Sequence, residues 1–164
     1  MLEMEVQIRL TGSQSIRGVM VYSKTHTVLS YQYRSSYGLL YNTYPDLLLD
    51  LSIIPSYVYS MQSKFYPTIS QIFGVPLDSR HEYTKSDWEL WTAATCEPST
   101  GTLFVTSLAK WINETTTNFP FTDLYDTTDG GFPQNPSILF LNRPVVGGHF
   151  SLLALQAIKS VTSV

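Results

Sequence analysis

Pro76-Leu77-Asp78-Ser79-Arg80-His81-Glu82-Tyr83-Thr84-Lys85-Ser86-Asp87-Trp88-Glu89 carries six charged side chains besides His81, in a chain where only 14% of residues are charged. A polar run of this kind, followed by Leu90 and Trp91, reads as a loop that turns into a helix. Two pairs mark the turn: Thr84 stands three residues before Asp87, and Ser86 three before Glu89. Each has the capping-box pattern, in which the hydroxyl accepts a backbone N–H of the first turn and the acid reaches back. The spacing predicts a helix over 84–94 with charge concentrated at its entrance.

Upstream, Leu39, Leu40, Leu47, Leu48 and Leu51 recur near helical spacing over 38–50. Pro45 inside that run either kinks the helix or begins a new, shorter one. Val58, Met61, Phe65, Ile69 and Ile72 share one side of a helix expected over 56–73, entered at Pro55, bent at Pro67 and stopped by Gly74. Downstream, Leu103, Phe104, Leu108, Trp111 and Ile112 form the apolar stripe of a helix over 99–114, with Ser99 as its N-cap. Residues 115–143 are rich in Thr, Asn, Asp, Gly and Pro and lack helical periodicity, the mark of a functional loop; a short strand is expected at 138–141. A last helix opens near Pro144 and carries Phe150, Leu152, Leu153, Leu155 and Ile158. Residues 1–22 alternate Val6, Ile8 and Leu10 with polar neighbours and break at Thr11-Gly12-Ser13, which allows a strand or a disordered, divergent leader. The fold class expected is all-α, in two parts: a leader over 1–22 and a helical domain over 23–164.

Composition narrows the function. The length suits one domain. A net charge of −3 and a pI near 5.5 offer no basic surface for nucleic acid. No run of about 20 apolar residues is available to span a membrane. Cys96, the sole cysteine, excludes an intrachain disulfide and argues against a metal–thiolate cluster; it reads as a small buried hydrophobe. No serine elbow, zinc spacing or dinucleotide fingerprint occurs, so neither metal nor cofactor is expected. Asn113-Glu114-Thr115 is an N-glycosylation sequon, relevant only to a chain that enters the secretory pathway. The acidic start Met1-Leu2-Glu3-Met4-Glu5 has no signal-peptide character.

The 76–89 stretch, together with Tyr37-Gly38-Leu39-Leu40-Tyr41-Asn42, Met61-Gln62-Ser63, Trp111-Ile112-Asn113-Glu114-Thr115, Thr122-Asp123-Leu124-Tyr125-Asp126-Thr127 and Arg143-Pro144-Val145-Val146-Gly147-Gly148, resembles the fungal-type glutaminase A family. The resemblance runs in order from about Lys24 to Leu155. It implies a secreted, extracellular enzyme of glutamine whose C-terminal domain is a helical toroid like that of the six-hairpin glycosidases. Twelve helices of about 12 residues need on the order of 200 residues or more. The expectation is therefore a partial α/α toroid containing only the C-terminal helices, with upstream domains missing.

Toroids of this kind place their sites where loops converge at one mouth. The contributing loops here are 74–85 and 115–143. Hydrolysis needs a group to activate water, one to protonate the leaving group, and donors to hold the substrate. Asp78 and Asp87 are the candidate catalytic carboxylates. Arg80, His81, Lys85, Asp123, Tyr125 and Arg143 are the candidate contacts to a small-molecule substrate, an Arg clamping an α-carboxylate and an Asp its ammonium. Each has a structural alternative: Asp87 as a helix-cap acid, Asp78 with Arg80 as an ion pair bracing the loop, His81 as a loop hydrogen-bonder, Asp123 and Asp126 as turn stabilisers. His149 reads as a core histidine and Gly147-Gly148 as close helix packing. A carbohydrate-active domain and an inactive fragment stay open beside the glutaminase reading.

Overall fold

The computed structural model describes residues 4–9, 15–20, 25–30, 32–133 and 140–162. An antiparallel hairpin, β1 (Met4–Arg9) and β2 (Ser15–Met20), precedes everything else and pairs Val6 with Gly18 and Ile8 with Ile16. The remainder is helical: α1 (Tyr44–Leu48), α2 (Ser56–Ile69), α3 (Ser86–Thr95), α4 (Pro98–Glu114) and α5 (Ser151–Thr162). Two 3-10 segments, Tyr41–Thr43 and Pro144–Phe150, lead into α1 and α5. Pro45 lies in the first turn of α1, where its missing N–H costs nothing, so the 38–50 run is a tight turn followed by a short helix.

The second sheet was not foreseen. Strand β3 (Tyr83–Lys85) pairs antiparallel with β4 (Leu124–Asp126), Thr84 opposite Tyr125. The fold is thus helix-rich and not purely α. Strand geometry at 83–85 also removes both expected capping boxes: Lys85 is the N-cap of α3, in extended conformation, and no side chain caps the helix. Ser86 N–H is taken instead by the carbonyl of Asp123, at 2.8 Å. The strand expected at 138–141 falls largely outside the described residues; Leu141 forms an isolated bridge with Thr122.

Helix α2 ends at Ile69, short of the predicted Phe73, and turns a different face inward. Val58, Gln62, Ser63 and Tyr66 are buried, whereas Ile72 lies beyond the helix in solvent. The buried face is polar because it receives backbone: Gln62 Oε1 accepts Thr27 N–H at 2.8 Å, and Tyr66 Oη accepts Leu40 N–H at 3.1 Å. Pro67 cannot donate to the carbonyl of Ser63. The hydroxyl of Thr100, in the first turn of α4, does so at 2.7 Å, and Ser63 Oγ accepts Glu97 N–H at 2.9 Å. The proline thus frees a carbonyl that docks α4 onto α2. Glu97, and not Ser99, is the N-cap of α4, with Pro98 opening the helix.

Helix α3 is central and buried almost all round, through Ser86, Asp87, Glu89, Leu90, Thr92, Ala93 and Thr95. Its Ala93 joins Leu39, Tyr66, Val75 and Phe104 in one core cluster; its Leu90 joins Phe73, Leu108, Trp111 and Tyr125 in the other. Leu152 of α5 touches both. A Cβ at Gly101 would lie 3.1 Å from the Ala93 carbonyl, so glycine sets the α3–α4 separation.

One buried acid ties the second cluster together. Glu89 is fully buried; its Oε1 accepts Val75 N–H at 2.8 Å and its Oε2 meets the hydroxyl of Tyr125. Gly74 has φ +141, and a Cβ there would sit 2.2 Å from Glu89 Oε1, so only glycine turns this corner beside the acid. The Tyr125 hydroxyl also lies 3.1 Å from the carbonyl of Phe73. One phenolic proton cannot serve two acceptors. A protonated Glu89 donating to Tyr125 Oη, which in turn donates to Phe73, satisfies every group. Burial accordingly pushes the Glu89 carboxyl up to about 8, against the opposing pull of its bonds to Tyr125 and Val75.

Between the unfolded value of 4.5 and about 8 the folded chain therefore holds a proton on Glu89 that the unfolded chain has lost. Raising the pH through that window favours unfolding, at up to about 1.4 kcal/mol per pH unit. Denaturant melts at pH 5, 6, 7 and 8 should show wild-type stability falling and Glu89→Gln, which mimics the protonated acid, nearly flat. A second expectation concerns α4 and α5, which leave Val105, Ile112, Leu153, Ile158 and Val161 exposed beside an apolar groove of about 480 Å³ lined by Ala93, Pro98, Gly101, Val105, Leu152 and Leu155. Such surface drives association. The chain should self-associate or bind a hydrophobic dye; a monodisperse, dye-negative monomer in light scattering would contradict this.

Candidate active site

The β3–β4 ladder places Lys85, at the end of one polar loop, next to Asp123, at the turn of the other. Lys85 Nζ lies 3.1 Å from Asp87 Oδ2 and 3.7 Å from Asp123 Oδ2. Arg143 approaches Asp123 with both prongs of its fork, Nε to Oδ1 at 2.9 Å and NH2 to Oδ2 at 2.6 Å. Two cations and two carboxylates thus alternate in one cluster, and both acids are nearly sealed from solvent. Charges this deep persist only when paired and hydrogen-bonded.

Aromatic rings enclose the cations. Lys85 Nζ sits 4.6 Å above the ring of Trp88, and the Arg143 guanidinium 3.8 Å over Phe140. Trp88 stacks on Tyr41 at 3.6 Å. From the other flank, the Pro144–Phe150 turn presses on the helix: a Cβ at Gly148 would come within 2.9 Å of the Asp87 Cβ. That close packing was expected of the Gly147-Gly148 pair, and Gly148 supplies it, while Gly147 meets nothing within 4 Å. His149 follows, its Nε2 2.8 Å from Ser86 Oγ. Burial lowers its pKa below the ordinary 6.5, although Asp87 and Asp123 pull the other way.

Within the cluster one atom stands out. Asp87 is fully buried and spends Oδ2 on Lys85, yet Oδ1 has no hydrogen-bond partner among the described residues. A buried carboxylate oxygen without a donor costs about 1–3 kcal/mol or more, which a ligand or water bringing an N–H or O–H would recover.

Asp78 and Arg80 form a separate unit. Arg80 donates its N–H at 2.8 Å and Nε at 3.0 Å to Asp78 Oδ1, and NH2 at 2.6 Å to Oδ2; His81 Nδ1 lies 3.2 Å from Oδ1. Burial opposes ionisation of Asp78, but the Arg80 contacts and nearby His81 overcome it and hold the carboxyl below its usual range. This is the loop brace weighed from sequence, with the guanidinium largely exposed. The His81 ring stacks on Tyr83 at 4.5 Å. A cavity of about 370 Å³ lies beside this unit, lined by Leu77, Asp78 and Arg80 together with Tyr41, Asn42 and Trp88.

Tyr125 does not join either group: it is fully buried, stacked on Trp111 at 4.0 Å, with its hydroxyl spent on Glu89 and Phe73. Leu124 and Tyr125 are both packed in the core, Tyr125 opposite Thr84 in the ladder, while Asp123 precedes the strand. Asp126 stabilises a turn, accepting Thr128 N–H at 2.8 Å. Asn113 is exposed on α4, and Thr115 of its sequon donates to the Gly130 carbonyl at 2.8 Å. Sequence reading passed over Trp88, Tyr41, Phe140, Ser86 and His149 as site neighbours. Aromatics at helical spacing look like core, and nothing local in the sequence pairs residue 86 with 149. Among the described residues no cluster of His, Cys, Asp and Glu is arranged to hold a metal ion, and no helix is long and apolar enough to cross a membrane.

Comparison with known proteins identifies the family. Over 130 residues the chain is 55% identical to Glutaminase A of Aspergillus oryzae, covering 79% of this chain and 19% of that protein. It is 43% identical over 160 residues to a probable glutaminase of Arthroderma benhamiae, covering 80% of this chain and 18% of that one. The chain therefore spans about a fifth of the length of these relatives. No solved structure matches it. Residues 12–153 fit the pattern described as the Glutaminase A six helical-hairpin domain, which takes in part of the segment read as a leader, and the chain belongs to that family.

Proposed function

We propose that this chain is the C-terminal part of an amidohydrolase that converts L-glutamine to L-glutamate and ammonia, and that its helices are one arc of an α/α toroid. The observation that carries the reading is Asp87 Oδ1, a buried carboxylate oxygen without a donor among the described residues, in a cluster whose other charges are paired. An attacking water held there would be oriented and polarised by a carboxylate whose other oxygen is bonded to Lys85. The adjoining cavity, about 370 Å³, falls in the range of small-molecule sites. Arg80 at its rim offers the unused prong of its guanidinium to an α-carboxylate; Asp78 and His81 position it. Trp88, which lines the cavity, carries Lys85 Nζ 4.6 Å over its ring, and Lys85 leads on to Asp123 and, through it, Arg143.

The names of the two relatives support glutamine as the substrate. Family resemblance supports an extracellular enzyme, in which the exposed Asn113 would carry a glycan. The net charge of −3 supports a small-molecule partner over nucleic acid. Fold alone does not choose between an amide and a glycoside.

The test is ammonia release from glutamine by the longest polypeptide that carries this chain. Asp87→Asn should lower kcat at least about a hundredfold. Arg80→Lys should raise KM more than it lowers kcat, because an ammonium keeps the charge and loses the paired geometry. Full glutaminase activity in folded Asp87→Asn would remove Asp87 from the site. Sugar release from a parallel glycoside panel, without ammonia release, would replace the reading with the carbohydrate-active one.

A further inference from the structure

The cluster lacks a group that can both take a proton from water and return it to a leaving nitrogen. Asp78 is held ionised by Arg80. Asp123 accepts the full fork of Arg143 as well as facing Lys85. Asp87 is tied to Lys85 through Oδ2. Each of these carboxylates is already committed to a cation. Glu89, the protonated acid, faces Val75 and Tyr125 in the core.

We infer that His149 is the proton-transfer residue of this site, with Nδ1 as the transferring atom and Ser86 as its positioning residue. The inference rests on the amidohydrolase reading above. Its basis is geometric: Nε2 is engaged 2.8 Å from Ser86 Oγ, and Nδ1 has no hydrogen-bond partner among the described residues. The adjacent Gly148 seats the imidazole-bearing turn directly on the Asp87 backbone. Ser86 is itself fixed, fully buried at the start of α3 with its N–H on the Asp123 carbonyl. If Ser86 Oγ accepts from Nε2–H, the lone pair is left on Nδ1, the tautomer a base requires. The charged groups around the ring are Asp87 from α3 and Asp123 from the turn before β4, themselves bound to Lys85 and Arg143; Phe121 packs edge-on at 6.2 Å. Burial keeps the resting imidazole neutral, and the two carboxylates favour the imidazolium once it forms.

The reaction balances. As the water oxygen bonds to the side-chain carbonyl carbon and the π pair moves to oxygen, one water proton passes to Nδ1. When that pair returns to re-form the carbonyl, the C–N bond breaks and the same proton passes from Nδ1 to nitrogen. Ammonia leaves, the carboxylic acid remains, and His149 is neutral again.

The test is the pH profile of glutamine hydrolysis for wild type, His149→Gln, Ser86→Ala and Asp87→Asn, with circular dichroism confirming each fold. Gln keeps a group able to bond Ser86 but carries no titrating proton. The expected result is a loss of kcat of at least about a hundredfold in His149→Gln, KM within about threefold, and disappearance of the acid limb of the profile. Ser86→Ala should keep that limb at a shifted midpoint. Retention of activity and acid limb in His149→Gln, with Asp87→Asn inactive, would overturn the role of His149 and leave the site reading standing; full activity in both variants would overturn both. Where His149→Gln fails to fold, or the polypeptide turns over no glutamine, NMR of the wild-type imidazole decides. L-glutamine should shift the His149 Nδ1 resonance, and the absence of a shift at saturating ligand would overturn the inference.

Discussion

Three residues on each side, Tyr83–Lys85 against Leu124–Asp126, hold the two polar loops of this chain in register. The ladder is short, but it is flanked by Ser86 N–H on the Asp123 carbonyl at 2.8 Å and Thr127 N–H on the Glu82 carbonyl at 2.9 Å, and it is buried at Thr84 and Tyr125. Everything polar at the head of α3 depends on it. It delivers Asp123 to Lys85 and, through Asp123, recruits Arg143. On its inner face it delivers Tyr125 to Glu89. One register therefore fixes a charged cluster on one side and a neutral acid in the core on the other, with α3 between them.

Those two carboxylates, Asp87 and Glu89, are two residues apart on the first turn of one helix and meet opposite fates. Asp87 has two cations in its neighbourhood, Lys85 at 3.1 Å and Arg143. Glu89 has a phenol, a backbone N–H and apolar walls, and burial dominates. Environment, and not residue type, assigns one to electrostatics and the other to architecture. The glycines follow the same division: Gly148 lets a turn close on Asp87, and Gly74 lets the chain pass Glu89.

Much of the helical framework was legible. The apolar spacing in α4 and the entry of α1 at Pro45 each express local periodicity or local backbone chemistry, which a sequence carries on its face. The ladder was not legible, because strands of three residues separated by α3 and α4 leave no period to detect, and Thr84 next to a helix-starting run imitates a cap. The inward face of α2 was misread for a related reason: its partners are backbone groups of 27 and 40, so polar Gln62 belongs inside and Ile72 does not. Of the candidate site, Lys85, Asp87, Asp123 and Arg143, singled out by charge and family likeness, are brought into one cluster by the fold. Tyr125 went to the core because the β3–β4 pairing, which sets it opposite Thr84 with its hydroxyl on Glu89, was not anticipated, and His149 was set aside because only the folded chain brings it to Ser86.

The account turns on the ladder being an integral part of the α3 core and not a loop contact. Native-state amide hydrogen exchange at Ser86 and Thr127, whose N–H groups flank it, reads this directly. The structure predicts that both exchange only as slowly as Leu90 in the middle of α3, through the same opening. Exchange at Ser86 and Thr127 at rates typical of exposed loops, with Leu90 still protected, would show that the two loops are not held together and would contradict the site built upon them.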